Sequence, residues 1–230
     1  MGKTVLVTGA NKGIGFGIAK HLGLSGWKVV LGARDEQRAE KAISDLKAQG
    51  IDVLGWVHIE LKDLDGINQA VAIINEKYPK LALLVNNAGI PGDMSVDSGH
   101  TELSDIRETL DVNFVGTFAL TKALIPLLKK NGGRIVNITV PSDISPYWHP
   151  LAYVASKAAQ NAMMGVIAIE NVVEIFSVHP GPTTTDLNGN MELPGFHDID
   201  TVGQKFAALI NDGQSHQGEF IELYPIVEEK

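Results

Sequence analysis

An α/β fold, a single-domain doubly wound parallel sheet of about seven strands flanked by helices, is what this sequence predicts. Three observations predict it. Short apolar, β-branched runs alternate along the chain with longer stretches of helical periodicity, the pattern of a parallel sheet covered on both faces. The first of these runs leads directly into a glycine-rich turn and a helix. The 230 residues, 44% of them hydrophobic and 24 of them glycine, match one compact domain rich in tight turns, and no repeat or linker divides residues 1–230.

In order, residues 3–8 form a β-branched run ending at Gly9, and residues 14–24 carry apolar side chains at helical spacing. A second strand is expected over 28–33, a helix over 36–49, a third strand over 53–59 and a helix over 64–78. A buried strand follows over 81–85, then a long apolar helix over 101–130 that bends or restarts near Pro126. Residues 134–140 read as a fifth strand and 141–150 as a loop, and Pro150 suits the first turn of the next helix. A sixth strand over 172–178, a helix over 201–210 and a strand over 219–224 complete the pattern. Between residues 170 and 173 the chain passes from helix to strand with almost no turn, and residues 188–198 form a short segment containing Gly and Pro.

Charge and composition narrow the function. The net charge of -8 comes from 27 acidic and 19 basic residues without a long like-charge run, which excludes nucleic acid or an anionic membrane as the main partner. With no cysteine there is no disulfide framework, thiolate metal site or cysteine nucleophile. The seven histidines are dispersed, so no metal site is expected. No signal-peptide pattern opens the chain and no apolar stretch reads as long enough to span a bilayer, so a cytoplasmic location is expected.

Candidate chemistry gathers at the strand ends. Tyr153 and Lys157 are four residues apart, which on a helix stacks them on one face. A fixed cation beside a phenol favours phenolate, bringing a group that titrates near pH ~10 toward neutrality, where it exchanges protons. The turn Thr8-Gly9-Ala10-Asn11-Lys12-Gly13-Ile14-Gly15 lets a pyrophosphate approach the amides of a helix start, although its spacing is not the general G-x-G-x-x-G dinucleotide pattern. Arg34 ends the second strand, where the group that reads the adenosine ribose belongs; its planar fork, with Lys12, suits a 2′-phosphate and predicts NADP over NAD. Glu60-Leu61 and Asn86-Asn87-Ala88-Gly89 end the third and fourth strands on the same carboxyl edge.

Taken together, Thr8-Gly9-x-x-x-Gly13-x-Gly15, Asn86-Asn87-Ala88-Gly89, Asn113, Tyr153-x-x-x-Lys157 and Pro180-Gly181-x-x-x-Thr185 resemble, over nearly the whole chain, the short-chain dehydrogenase/reductase family. Leu31-Gly32-Ala33-Arg34-Asp35 narrows the resemblance to NADPH-dependent carbonyl reductase-like members with a Rossmann fold. The resemblance implies an oxidoreductase that reduces a ketone or aldehyde substrate to an alcohol, reversibly. Tyr153 would be the general acid, Lys157 would hold the nicotinamide ribose and depress the Tyr153 pKa, and Asn113 would support a water-linked proton relay. The NADP surface it implies takes Gly9, Asn11, Lys12, Gly13, Ile14 and Gly15 from the first turn, Arg34 from the second strand end, and Glu60 and Leu61 from the third. Asn86, Ala88 and Gly89 would follow from the fourth, Asn86 beside the adenosine ribose. Pro180, Gly181, Thr183 and Thr185 complete it beside the carboxamide, together with Tyr153 and Lys157. A homodimer or homotetramer through the Asn113 helix and the helix after Tyr153 would match much of the family, whose carbonyl reductase-like members can also be monomers, and residues 188–198 occupy the family's usual substrate-lid position.

One departure is large. Thirteen residues before the tyrosine the family places a serine that polarises the substrate carbonyl; here the residue is Val140, which has no hydrogen to donate. Thr139 points to the opposite face if strand alternation continues, and Ser142 reaches the site only if the loop bulges. Loss of one such donor costs on the order of 100- to 1000-fold in turnover. Three outcomes stay open: a disabled enzyme, an active variant using Ser142 or Thr139, or a non-catalytic NADP-binding protein. Tyr147, Trp148, His149, Met94, Met191, Leu193 and Phe196 are candidates for a substrate wall, with core or surface placement the competing reading for each.

Overall fold

The computed structural model describes residues 2–141 and 150–225. Its sheet has seven strands: β1 Thr4–Thr8, β2 Lys28–Ala33, β3 Val53–His58, β4 Leu81–Asn86, β5 Arg134–Ile138, β6 Glu174–His179 and β7 Phe220–Glu222. Their spatial order is β3-β2-β1-β4-β5-β6-β7, with every neighbouring pair parallel. The helices are α1 Gly13–Leu24, α2 Glu36–Lys47, α3 Leu64–Lys77, α4 Leu103–Leu110, α5 Thr117–Lys130, α6 Leu151–Glu170 and α7 Ile199–Ile210. Strand order reverses between β1 and β4, which opens a crevice at their carboxyl ends. The predicted doubly wound sheet is the fold.

Alternation along β1 assigns the two cores. Val5 and Val7 face α1, α2 and α7 with Ile18, Leu22, Leu46 and Phe206, whereas Leu6 faces the opposite layer with Leu84, Leu120, Leu124, Ile135 and Ile175. Both faces of the central strands are dry, as a parallel sheet requires.

The helical run after β4 departs from expectation. It does not break at Pro126, which lies inside α5 on its exposed side; a π-helical turn at Asp111–Gly116 separates α4 from α5 instead. Gly116, at the end of that turn, packs against the chain leaving β3. A Cβ on Gly116 would lie 2.6 Å from the Leu61 carbonyl carbon, so only glycine admits that approach. Contrary to the sequence expectation, the continuous stretch Leu103–Lys130 is long and apolar enough to cross a membrane by length and composition, but here Leu120, Leu124 and Leu128 are fully buried in the core.

Two strand ends also move. β5 stops at Ile138, short of the expected 140: Thr139 N still donates to Val178 O at 3.0 Å, and the Val140 carbonyl is taken by Asn161 Nδ2 at 2.9 Å, away from the ladder. α6 ends at Asn171, whose left-handed backbone (φ 51°) makes the tight turn that sequence patterning left out, and β6 begins at Glu174. The prediction from this packing concerns Gly116. Gly116→Val should destabilise the protein by about 2–4 kcal/mol in denaturant unfolding, since the clash is with backbone that has no rotamer to yield. Unchanged stability would mean that the Leu61 segment moves freely.

Candidate active site

The crevice is lined first by the glycine turn. Gly9 and Gly13 adopt left-handed conformations (φ 67° and 58°), and a Cβ on Gly15 would lie 2.6 Å from the Gly9 carbonyl oxygen. The turn is tied to the end of β4 through Thr8 Oγ1, which accepts from Asn87 N and Ala88 N at 3.0 Å each, while Asn87 Nδ2 donates to Thr8 O at 2.9 Å. Helix α1 starts at this turn without a side-chain cap and without an acid in its first turn. By contrast, α2, α3 and α7 are capped by Asp35, Asp63 and Asp198. The free amides at the α1 start therefore fit the diphosphate of a dinucleotide. Thr185 closes on the same turn, since a Cβ on Gly13 would be 3.8 Å from its methyl carbon.

The expected cations lie at this edge, each opposite a carboxylate. Lys12 Nζ is 2.8 Å from Asp186 and Arg34 Nη1 is 3.5 Å from Glu60, so Glu60 serves as the Arg34 counter-ion. Sequence reading missed Arg38, one turn into α2. Its Nε is 3.9 Å from Asp35, and its charge also reaches Asp186.

Several predicted cofactor side chains are engaged elsewhere. Asn86 does not face the crevice: it is buried, with Nδ2 donating to Thr121 Oγ1 at 2.8 Å in the α5 layer. Leu61 is likewise buried in the core. Thr183 Oγ1 donates to the Gly181 carbonyl at 3.0 Å, and Thr185 caps the short 3₁₀ turn Asp186–Asn188. The side-chain polar atoms of Asn86, Thr183 and Thr185 thus have local partners.

On α6, Tyr153 is half-buried and Lys157 is 4% exposed. Lys157 Nζ stands 5.7 Å from the Tyr153 ring centre and donates to the Ile138 carbonyl at 3.0 Å. The helical spacing thus places the pair together. The expected direction of the tyrosine shift is not found, however: burial pushes the Tyr153 phenol up to about 12, and burial pulls the Lys157 ammonium down from 10.5 to about 8. Loss of water around both groups outweighs an attraction at this separation, and the lysine spends a hydrogen bond on a neutral carbonyl.

Asn113 sits at the π-turn, fully buried, and its amide is saturated. Nδ2 donates to Ile90 O and Ser156 Oγ at 2.9 Å each, and Oδ1 accepts from Ile90 N at 2.8 Å. Its carbonyl accepts from Gln160 Nε2. Asn113 thus holds the loop after β4 against α6, and its carbonyl, with one lone pair engaged by Gln160, keeps a second. Thr139 is 1% exposed and donates to Asn161 Oδ1 at 2.8 Å, on α6 one turn past Lys157. Val140 is half-buried at the site edge. Ser142, Tyr147, Trp148 and His149 lie outside the described residues. The segment beyond Thr185 lines an open cleft of about 560 Å³ with Thr184, Leu193, Phe196 and His197 among its walls.

The model for the short chain dehydrogenases matches residues 3–193, and the chain belongs to that family. Estradiol 17-beta-dehydrogenase 2 of Mus musculus is 32% identical over 196 residues, 83% of this chain and 51% of that protein. The chain thus spans about half the length of that relative and of its Rattus norvegicus counterpart. Trans-4-hydroxycyclohexanecarboxylate dehydrogenase of Sinomonas cyclohexanicum is 30% identical over 231 residues, 95% of this chain and 88% of that one. Among solved structures, an alcohol dehydrogenase from the archaeon Thermococcus sibiricus complexed with 5-hydroxy-NADP has a TM-score of 0.87 at 25% identity, covering 100% of this chain and 99% of that one. NADPH-bound carbonyl reductase from chicken fatty liver has a TM-score of 0.85 at 28% identity, covering 96% of each.

The depressed Lys157 pKa yields a stability prediction. Between about 8 and 10.5 the unfolded chain holds a proton that the folded chain has released, so this group makes stability rise with pH across that window. Lys157→Met should melt several degrees above the parent protein at pH 7, and the gap should close as pH approaches 10.5. Tyr153 titrates in both proteins and cancels in the comparison. A Met variant that melts lower at pH 7 would show that the bond to Ile138 outweighs the burial of charge.

Proposed function

We propose that the protein is an NADPH-dependent oxidoreductase that reduces a ketone or aldehyde to the alcohol, reversibly, with Tyr153 as general acid and base. The observation that carries this reading is the placement of Tyr153 and a buried Lys157 on one face of α6, at the carboxyl edge of a sheet whose first helix start is uncapped. The NADPH-bound carbonyl reductase and the alcohol dehydrogenase with 5-hydroxy-NADP support both the chemistry and the cofactor. Arg34, Arg38 and Lys12 supply the charge a 2′-phosphate needs.

The cofactor, when bound, supplies the hydride. The chain's own residues do the rest. The α1 amides and the glycine turn hold the diphosphate, and Lys157 holds the nicotinamide ribose while placing positive charge beside the tyrosine. Tyr153 keeps its hydroxyl on the substrate oxygen and donates its proton there as negative charge develops. Exposed apolar residues on α6 and α5, among them Ile169, Val166 and Phe118, support the homodimer or homotetramer that belongs to this reading.

A second reading, a non-catalytic NADP-binding protein, is favoured by one observation: Val140 offers no donor and the Thr139 hydroxyl is committed to Asn161. Turnover separates the two. NADPH oxidation across a panel of ketones and aldehydes should be measurable for the parent protein, fall about 100- to 10,000-fold in Tyr153→Phe, and rise about 100-fold or more in Val140→Ser. NADPH binding without turnover in the parent, with activity only in Val140→Ser, would establish the second reading instead.

A further inference from the structure

Each cation at the cofactor edge faces a carboxylate, but the three pairs differ in kind. Arg38 and Asp35 are three residues apart, and Arg34 with Glu60 joins the ends of the adjacent strands β2 and β3. Lys12 and Asp186 are separated by 174 positions, and their 2.8 Å contact ties the N-cap of α1 to the 3₁₀ turn after β6.

That turn is built to hold its acid in place. Thr185 and Asn188 form a reciprocal capping box, Asn188 Nδ2 donates to Thr183 O at 2.9 Å, and Gly189 ends the turn in a left-handed conformation (φ 69°). Asp186 also takes a side-chain hydrogen bond from Asn190 and feels the Arg38 guanidinium. Its carboxylate is thus fixed opposite Lys12 by a network of local bonds, and not by the ion pair alone.

We propose that Asp186 is a built-in competitor for Lys12, a counter-ion displaced when a 2′-phosphate binds, so that Asp186 sets how strongly the site prefers a 2′-phosphorylated adenosine to an unphosphorylated one. The inference rests on the reading above that Lys12 serves the 2′-phosphate. A phosphate monoester brings between one and two negative charges and must share the ammonium with a carboxylate already 2.8 Å from it. Like charges around one cation repel, and the repulsion exists only for the phosphorylated ligand. Replacing Asp186 by Asn keeps the size of the side chain and an oxygen facing Lys12 while removing that repulsion. Both partners are about half exposed, so salt must weaken the effect.

The test is calorimetric and needs no turnover. Parent, Asp186→Asn, Lys12→Met and the double variant are titrated with 2′,5′-ADP and with 5′-AMP, at low and high salt. Asp186→Asn should bind 2′,5′-ADP about 5- to 30-fold more tightly at low salt, with 5′-AMP unchanged. The gain should shrink at high salt and vanish when Lys12 is Met. Equal tightening for both ligands, no tightening for either, or a gain that survives Lys12→Met would overturn the proposal while leaving the NADP reading intact. Binding of 5′-AMP with no preference for 2′,5′-ADP in any of the four proteins would overturn the cofactor reading and this proposal with it. Melting curves of the four proteins confirm that each is folded before titration.

Discussion

The arrangement of the site depends on one buried amide. Asn113 joins the loop after β4, through Ile90, to the first turns of α6, through Ser156, and its carbonyl takes the Gln160 amide one turn further on. Ser156 in turn donates to the Tyr153 carbonyl at 2.8 Å. The face of α6 that carries Tyr153 and Lys157 is therefore held by directional bonds, where apolar packing alone would allow a helix to slide or roll. A net bond contributes only about 1 kcal/mol, but leaving a buried partner unsatisfied costs about 1–3 kcal/mol, so the network resists partial disruption. The π-turn belongs to this constraint, because widening the helix at 111–116 releases the Asn113 carbonyl from the regular ladder and lets it meet α6. Gly89 belongs to it as well, since a Cβ there would come within 3.0 Å of the Asn113 amide oxygen.

The interior changes character toward the site. On the face covered by α5 and α6, Leu84, Ile135 and Ile175 lie in register across β4, β5 and β6, and two residues further along the strands the row becomes Asn86, Asn137 and Ser177. All three polar residues are 5% exposed or less. Among the described residues, both polar atoms of the Asn137 side chain and the Gln160 amide oxygen lack a hydrogen-bond partner. With the buried Lys157 ammonium, they make the carboxyl half of the sheet the expensive half of the core, and the apolar rows behind it offset that cost. Such a division is expected where a site needs low dielectric and fixed dipoles more than local stability.

Much of this was legible in sequence. Strand periodicity and punctuation by glycine located β2 at its observed limits, and the spacing of Tyr153 and Lys157 placed both on one helical face. What escaped reading is long-range. The π-turn ends where Gly116 closely approaches the Leu61 carbonyl, a contact that no local pattern carries, and Pro126 was the more conspicuous signal for a break. Which carboxylate meets which cation is equally invisible, since Lys12 and Asp186 come from opposite ends of the chain. Asn86 misled for another reason: the motif identifies the strand end but not the face, and β4 remains a strand through Asn86, turning that side chain toward Thr121.

On the function proposed above, the absence of a donor at Val140 puts the weight of carbonyl polarisation on Tyr153. On the reading proposed above, carbonyl reduction needs the acid protonated, and burial, which pushes the Tyr153 phenol up, favours that form. It can then serve two purposes in sequence, polarising the carbonyl by its hydrogen bond and surrendering the proton as charge develops. On the same reading the reverse reaction needs the phenolate, which burial opposes and the Lys157 charge favours. Lys157, lowered to about 8, still carries that charge at neutral pH. On that reading, with the Thr139 proton given to Asn161 and valine at 140, Tyr153 is the donor left to a substrate carbonyl among the described residues.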